Sequence, residues 1–267
     1  MTEESIFRSI FEDLFRIGKE TAPRGLKVWE IENYNYELGP YQRFCSFKAR
    51  NLNVDYIKKE FMWYLKGDKF DLSILEHAKI WKDLVNEDGS INSNYGQYIF
   101  AGPMQFDIVV NTLKEDKDSR RAIMTILQPY HLEMKTKDVP CTISISFRIR
   151  ENKLNMTVRM RSQDAVFGMG NDAPAFSFIH EMIYNALLRH YPDLEMGNYY
   201  HSVDSFHVYE RHFEMVGNID STQLNSEFVP IECPRISGPD EVDWLRRYQE
   251  MPVEIPVQYQ FSRWLFS

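Results

Sequence analysis

The chain has 267 residues, 43% hydrophobic, 26% charged and 14% aromatic, which supplies a folded core and excludes a disordered or fibrous chain. Its net charge of −8, from 31 basic and 39 acidic side chains, excludes a broad basic face for nucleic acid but allows a few arginines to converge on a small anion. No apolar run approaches the ~18 residues of a membrane span, and the acidic opening MTEESIFRSIFEDLFRIGKE has no signal-peptide pattern, so the expected location is the cytoplasm, away from any membrane.

Residues 4–18 set Ile6, Ile10, Phe11, Leu14, Phe15 and Ile17 at helical spacing. Residues 26–50 mix Tyr, Phe and Val with turn residues and predict strands. A helical pattern from Asn53 to Leu65 ends at Gly67-Asp68. A second helix is expected over residues 71–86, and Asp88-Gly89 marks a turn. The clearest β segment is residues 141–161. There Ile143, Ile145, Phe147 and Ile149 alternate with polar residues, Glu151-Asn152-Lys153 turns the chain, and Leu154, Met156, Val158 and Met160 alternate again. That is a hairpin with one buried face. Pro174 to about His190 reads as a helix, and a strand is expected around Phe206–Tyr209. The tail from about Gly238 reads as irregular and aromatic. Without a repeat, low-complexity tract or linker, residues 1–267 read as one α+β domain, a mixed sheet covered by helices.

Cys45, Cys141 and Cys233 are odd in number and form no CxxC pair, which argues against a disulfide framework or a zinc site. Cys141, after Pro140 at the head of a strand, is either a small core residue or a nucleophile that needs positive charge beside its thiolate. Arg120, Arg121, Arg159 and Arg161 are either surface charge or forks for phosphate oxygens. Glu60, inside an apolar helix, is either an exposed position or a buried proton relay. His207 and Tyr209, two apart, share a strand face. They suit a sugar hydroxyl or satisfied core hydrogen bonds. No Walker, GxGxxG, HExxH or GxSxG pattern is present. On the residues alone the reading stops at an α+β protein with a possible anion site.

Taken in order, EFMWYLKGD (60–68), IWKDL (80–84), SNYGQ (93–97), DSRR (118–121), VPC (139–141), MRSQD (160–164), GMGND (168–172) and HVY (207–209) resemble the thymidylate synthase family. They span roughly residues 24–215 in the family's order and near its spacing. INSNYG, MRSQDAVFGMGND and HVYERHF are similar to the deoxycytidylate hydroxymethylase branch of that family. The resemblance implies a thymidylate synthase-like fold whose sheet face forms a homodimer interface with shared sites. It implies a pyrimidine nucleoside monophosphate as substrate, 5,10-methylenetetrahydrofolate as co-substrate, and no metal. By the same resemblance Cys141 matches the nucleophile that adds to C6, and Glu60 the carboxylate that manages protons. Tyr95 matches a tyrosine near removal of the C5 proton. Arg161 and Ser162 match phosphate ligands, as does Arg24 in surroundings that depart from the pattern. Arg120 and Arg121 match arginines that reach the partner's phosphate. His207 and Tyr209 match ribose 3′-hydroxyl contacts, and Trp81 and Asp164 match folate contacts.

Two departures carry information. Thymidylate synthases have Asn eight residues after the Asp of RSxD, where this chain has Asp172. An amide can satisfy the O4 acceptor and N3–H donor of uracil. A carboxyl can accept from cytosine N4 and share a proton with N3, and a buried mismatch discriminates strongly. Asp172 therefore predicts a cytidine nucleotide, dCMP favoured with CMP open. Leu84 stands where the family has a second tryptophan, and Thr142 where a His usually follows the nucleophile. Both changes lean toward water addition and a hydroxymethyl product. The alternatives are dCMP methylation, a dUMP-using enzyme and a non-catalytic nucleotide binder. The ending FSRWLFS does not match the family's closing tail.

Overall fold

The structure, a computed structural model, describes residues 1–102, 104–220, 227–247 and 254–267. Helix α1 (Glu3–Ile17) starts where the Thr2 side chain accepts from the Ser5 N–H at 3.2 Å, and it buries Phe7, Ile10, Phe11 and Leu14. Strand β1 (Lys19–Thr21) pairs with β2 (Val28–Leu38). Of the strands expected in residues 26–50 the structure forms β2, and the chain then turns irregular before a short 3₁₀ turn at Lys48–Arg50. Helix α2 (Val54–Lys66) is capped by the Asn53 side chain on the Tyr56 N–H at 2.9 Å. It ends at Gly67, whose φ of 61° is the left-handed conformation that glycine adopts freely.

The helix expected over residues 71–86 is instead two 3₁₀ turns, Ser73–Glu76 and Lys79–Asp83. The Asp71 carboxylate accepts from the Ser73 N–H at 2.9 Å, a local turn that competes with continuous helix. There follow α3 (Gly96–Ile99), α4 (Gln105–Glu115), β3 (Ile123–Thr125) and α5 (Pro129–Glu133), four elements the sequence pattern did not single out. Strands β4 (Thr142–Arg150) and β5 (Lys153–Met160) form the expected hairpin, with Glu151 and Asn152 at positive φ in its turn. Strand β6 (Gln163–Asp164) precedes α6 (Phe167–Leu188). This helix begins seven residues before Pro174, because the Asp164 carboxylate accepts the N–H groups of Val166 (3.3 Å) and Phe167 (2.9 Å). Strand β7 (Glu195–Tyr209) runs on to α7 (Phe213–Asp220).

The tail expected to be irregular from Gly238 holds two short helices, α8 (Pro239–Arg246) and α9 (Gln260–Leu265). Residues 248–253 of that stretch lie outside the described residues. The fully buried Glu241 accepts from the Ser262 N–H (2.7 Å), the Ser262 hydroxyl (2.8 Å) and the Ser237 N–H (2.6 Å). These bonds tie α9 to α8 and drive Phe261 and Leu265 into the core. Lys58 of α2 reaches Ser267 at 2.9 Å and lies over the Trp264 ring.

The sheet order is β1-β2-β7-β5-β4-β3, with β6 alongside β7. It is mixed: β5 and β6 run parallel to β7, and the other pairs are antiparallel. Helix α6 packs on β5 and β7 and against α2, α4 and α8. Behind it Arg43 and Glu181, each 1% exposed, pair at 2.7 Å. Glu181 also accepts the Ile236 N–H at 2.9 Å. Glu181→Ala should cost about 3–5 kcal/mol, because it strands a buried guanidinium; urea unfolding would measure it, and a loss below about 1 kcal/mol would contradict the pairing.

Candidate active site

Cys141 is set immediately before β4 and Arg161 immediately after β5, and the Arg161 N–H donates to the Cys141 carbonyl at 2.9 Å. The Arg161 guanidinium is held by the carbonyls of Pro140 (3.1 Å) and Val139 (2.8 Å). Its Nη1 keeps no protein partner among the described residues, which suits an incoming anion. Burial pushes the Cys141 thiol up, Arg161 and Arg24 pull it down, and Asp172 and Asp138 push it up again. Arg24 itself is exposed, with φ of 55° in the short turn Pro23–Gly25. Cys141 and Asp172 each keep some open surface while protein surrounds them on nearly every side.

Glu60 is buried on α2 and accepts from the Tyr56 hydroxyl at 2.8 Å. Tyr56 in turn accepts from the Trp81 indole N–H at 2.9 Å. The proton order is therefore fixed from Trp81 through Tyr56 to Glu60. Burial outweighs that hydrogen bond and, with the charge of Asp172, raises the Glu60 carboxyl to about 8. Asp172, on the second turn of α6, is raised to about 7 by burial and by Asp164, against a hydrogen bond from Gln163 at 2.9 Å. Tyr95 is stacked between Tyr64 (5.5 Å) and Phe176 (6.2 Å), within the field of Cys141 and Asp172.

Strand β6 sets Asp164 opposite His207 on β7. The rings of His207 and Tyr209 meet edge-on at 5.0 Å. Leu84 is half-buried and donates its N–H to the Trp81 carbonyl at 3.1 Å. Ser162 follows Arg161, half-buried, with no side-chain hydrogen bond among the described residues. Arg120 and Arg121 are exposed and carry no ion pair among the described residues, and the arginines that act on Cys141 are Arg161 and Arg24. Three contributors escaped the sequence reading: Tyr56, Gln163 and Asp138. Tyr56 lies one helical turn before Glu60, a spacing that places both on one face. Asp138 is buried and accepts from the Ser93 hydroxyl and, at 3.1 Å, the Ser93 N–H. A cavity of about 360 Å³ is lined by Tyr56 together with Lys58, Lys59 and His77. No cluster of three or more metal-ligating side chains occurs among the described residues, and no described helix is long and apolar enough to cross a membrane.

A thiol beside a fixed guanidinium and within the field of Asp172, which in turn acts on Glu60, is an arrangement that suits addition to an electron-poor ring and proton transfer at that ring. The family model for thymidylate synthase matches residues 5–245. The chain belongs to the thymidylate synthase family. This family transfers a one-carbon unit from 5,10-methylenetetrahydrofolate to a pyrimidine nucleotide, and its α+β fold is the one described above. Among relatives in the family, the chain is 35% identical to the deoxycytidylate 5-hydroxymethyltransferase of Enterobacteria phage T6, over 62% of this chain and 71% of that protein. It is 29% identical to the deoxyuridylate hydroxymethyltransferase of Bacillus phage SP01, over 76% of this chain and 56% of that one. It is 25% identical to the thymidylate synthase of Buchnera aphidicola, over 77% and 79%.

Two raised carboxyls have a cost in stability. Each binds its proton more tightly folded than unfolded, so their contribution is complete below the ordinary carboxyl range and is lost as pH rises toward about 8 for Glu60. Glu60→Gln should therefore raise Tm relative to the parent at ~pH 9 and leave it unchanged at ~pH 4, while turnover falls. A Tm difference that does not vary with pH would contradict the raised value.

Proposed function

We propose that this chain is a cytidylate 5-hydroxymethyltransferase, with dCMP as the favoured substrate and a homodimer as the active unit. The observation that carries the reading is Asp172, a carboxyl held neutral to about 7 and within the electrostatic reach of Cys141 and Glu60. A neutral carboxyl presents one donor and one acceptor, which the N3 and N4 edge of cytosine can meet. The 35% identity to a phage deoxycytidylate 5-hydroxymethyltransferase supports the same choice.

In this reading the Cys141 thiolate adds to C6 and makes C5 nucleophilic. Arg161, Ser162 and Arg24 take the phosphate, joined across an interface by the arginine pair at 120 and 121 of a second copy, which in this chain is exposed and carries no ion pair among the described residues. His207 and Tyr209 take the 3′-hydroxyl. Trp81, Leu84 and Asp164 offer an indole, an aliphatic side chain and an acceptor carboxylate, a set that fits a folate ring, which would supply the methylene carbon as electrophile. Glu60, with its proton order fixed by Tyr56, manages protons as C5 loses its hydrogen beside Tyr95. Leu84 leaves the site open to the water that completes the hydroxymethyl group. Overall CH₂O is added to the base and tetrahydrofolate is released.

Mass spectrometry after incubation with methylenetetrahydrofolate and dCMP, CMP or dUMP tests this. A gain of about 30 Da on a cytidylate supports the reading. A gain of about 14 Da would mean methylation in a drier site, and reaction with dUMP alone would overturn the assignment of Asp172.

A further inference from the structure

We infer that Gln163 is a positioning residue for Asp172: anchored by Tyr36, it turns its amide N–H onto the carboxyl, fixes the edge shown to the base, and sets the upper pH limit of cytidylate use. The inference rests on the proposed role of Asp172 in pairing with the base.

Gln163 is 2% exposed and buried beneath the site. Its Oε1 accepts from the Tyr36 hydroxyl at 3.2 Å, and its Nε2 donates to Asp172 Oδ2 at 2.9 Å. The first bond decides the second. A glutamine amide can turn either end toward a neighbour and a hydroxyl can donate or accept, but Tyr36 accepts from Tyr199 and so gives its own proton to Oε1, which leaves the amide N–H for Asp172. Tyr36 is itself constrained, stacked on His201 at 4.7 Å and hydrogen-bonded to Tyr199. Tyr199 also bonds the His201 ring. Burial holds His201 neutral, down to about 3, so the chain of bonds stays uncharged across the working range. Asp172 Oδ2 therefore always meets a donor, and the proton of the neutral carboxyl sits on Oδ1. The base meets an ordered donor and acceptor rather than a carboxyl free to exchange its oxygens.

The same bond has an electrostatic price. A donor favours the charged carboxylate, so Gln163 lowers the pH at which Asp172 ionises and stops matching cytosine. The other groups facing Asp172 act in the opposite sense or not at all. Asp164 on β6 raises it. Glu60, Tyr56 and Tyr64 on α2 feel its charge, as do Cys141 and Tyr95 beside β4 and Tyr36 and Tyr199 on the sheet. Among these groups Gln163 is the one that donates to it at hydrogen-bond distance.

The test is the pH profile of kcat/KM for dCMP in the parent and in Gln163→Met, a replacement of similar volume. The variant should raise KM about tenfold at neutral pH and yet move the alkaline limb upward by about one pH unit. Lost packing alone lowers activity without moving a limb in that direction. Tyr36→Phe, which frees the amide to turn, should shift the limb the same way by a smaller amount, and it reads the same effect should Gln163→Met fold poorly. An unmoved limb in the variants overturns the inference. Asp172→Asn separates the two levels. If the limb disappears there but is unmoved by Gln163→Met, the role of Gln163 fails alone. If a limb near pH 7, below the one that Glu60 would set near 8, persists in Asp172→Asn, the assignment of Asp172 fails with it.

Discussion

Cys141→Ala is expected to lower kcat by at least ~10⁴-fold while the affinity for nucleotide changes by less than about threefold. The two effects separate because the proposed function gives the thiol and the arginines different work. Arg161 is fixed by the carbonyls of Val139 and Pro140, not by the Cys141 side chain. Its guanidinium therefore keeps its place when the sulfur is removed. The pyrimidine C5 is a poor nucleophile until a thiolate adds at C6, and no other described cysteine can substitute: Cys45 and Cys233 are pushed up to about 12 by burial. Isothermal titration with dCMP and a single-turnover assay measure the two quantities. Turnover within about tenfold of the parent would exclude the covalent route.

Asp172→Asn is expected to move the ratio of kcat/KM between cytidylate and uridylate by about 10³-fold toward uridylate. The amide offers N–H to O4 and a carbonyl to N3–H, and it removes the proton that the carboxyl would share with N3. Gln163 retains an acceptor in the amide carbonyl, so the side chain stays anchored. The variant should also lose the fall in activity near pH 7, because an amide does not ionise, leaving only a fall near pH 8 that belongs to Glu60. Competition between the two nucleotides at equal concentration, read by product mass, gives the ratio directly. An unchanged ratio would mean that the base edge is read elsewhere.

The fold was legible where the chain repeats a clear period. The alternation through Ile143–Met160 and the capped helix ending at Gly67 appear where the pattern places them. It was illegible where a side chain overrides the local pattern. Asp71 breaks the second helix into turns, Asp164 starts α6 early, and buried Glu241 converts an aromatic tail into docked helices. The site divides in the same way. Cys141, Glu60, Arg161 and Asp172 were readable from ordered segments, and the structure places Asp172 in the field of both Glu60 and the thiol. Tyr56 and Gln163 act by hydrogen bonds to Glu60 and Asp172, and Asp138, held by Ser93, acts by its charge on Cys141; a buried polar contact between distant segments leaves no period in the sequence.

The parallel pairing of β5 with β7 has a consequence for assembly of the chain. The two strands are joined by the long crossover through α6, so their contacts close a far larger loop than the β4–β5 hairpin does. Arg161 leaves from β5, Asp172 rides on the crossover and His207 lies on β7. The hairpin with its neighbouring thiol can form while synthesis is still under way, but the residues proposed to read a base and hold a sugar join it only when the distant strand docks. An unfinished chain therefore carries a cysteine with burial incomplete and nothing to aim it at. On the proposed roles of these residues, chemistry begins with the last long-range contact, and a chain stalled before it stays silent toward nucleotides.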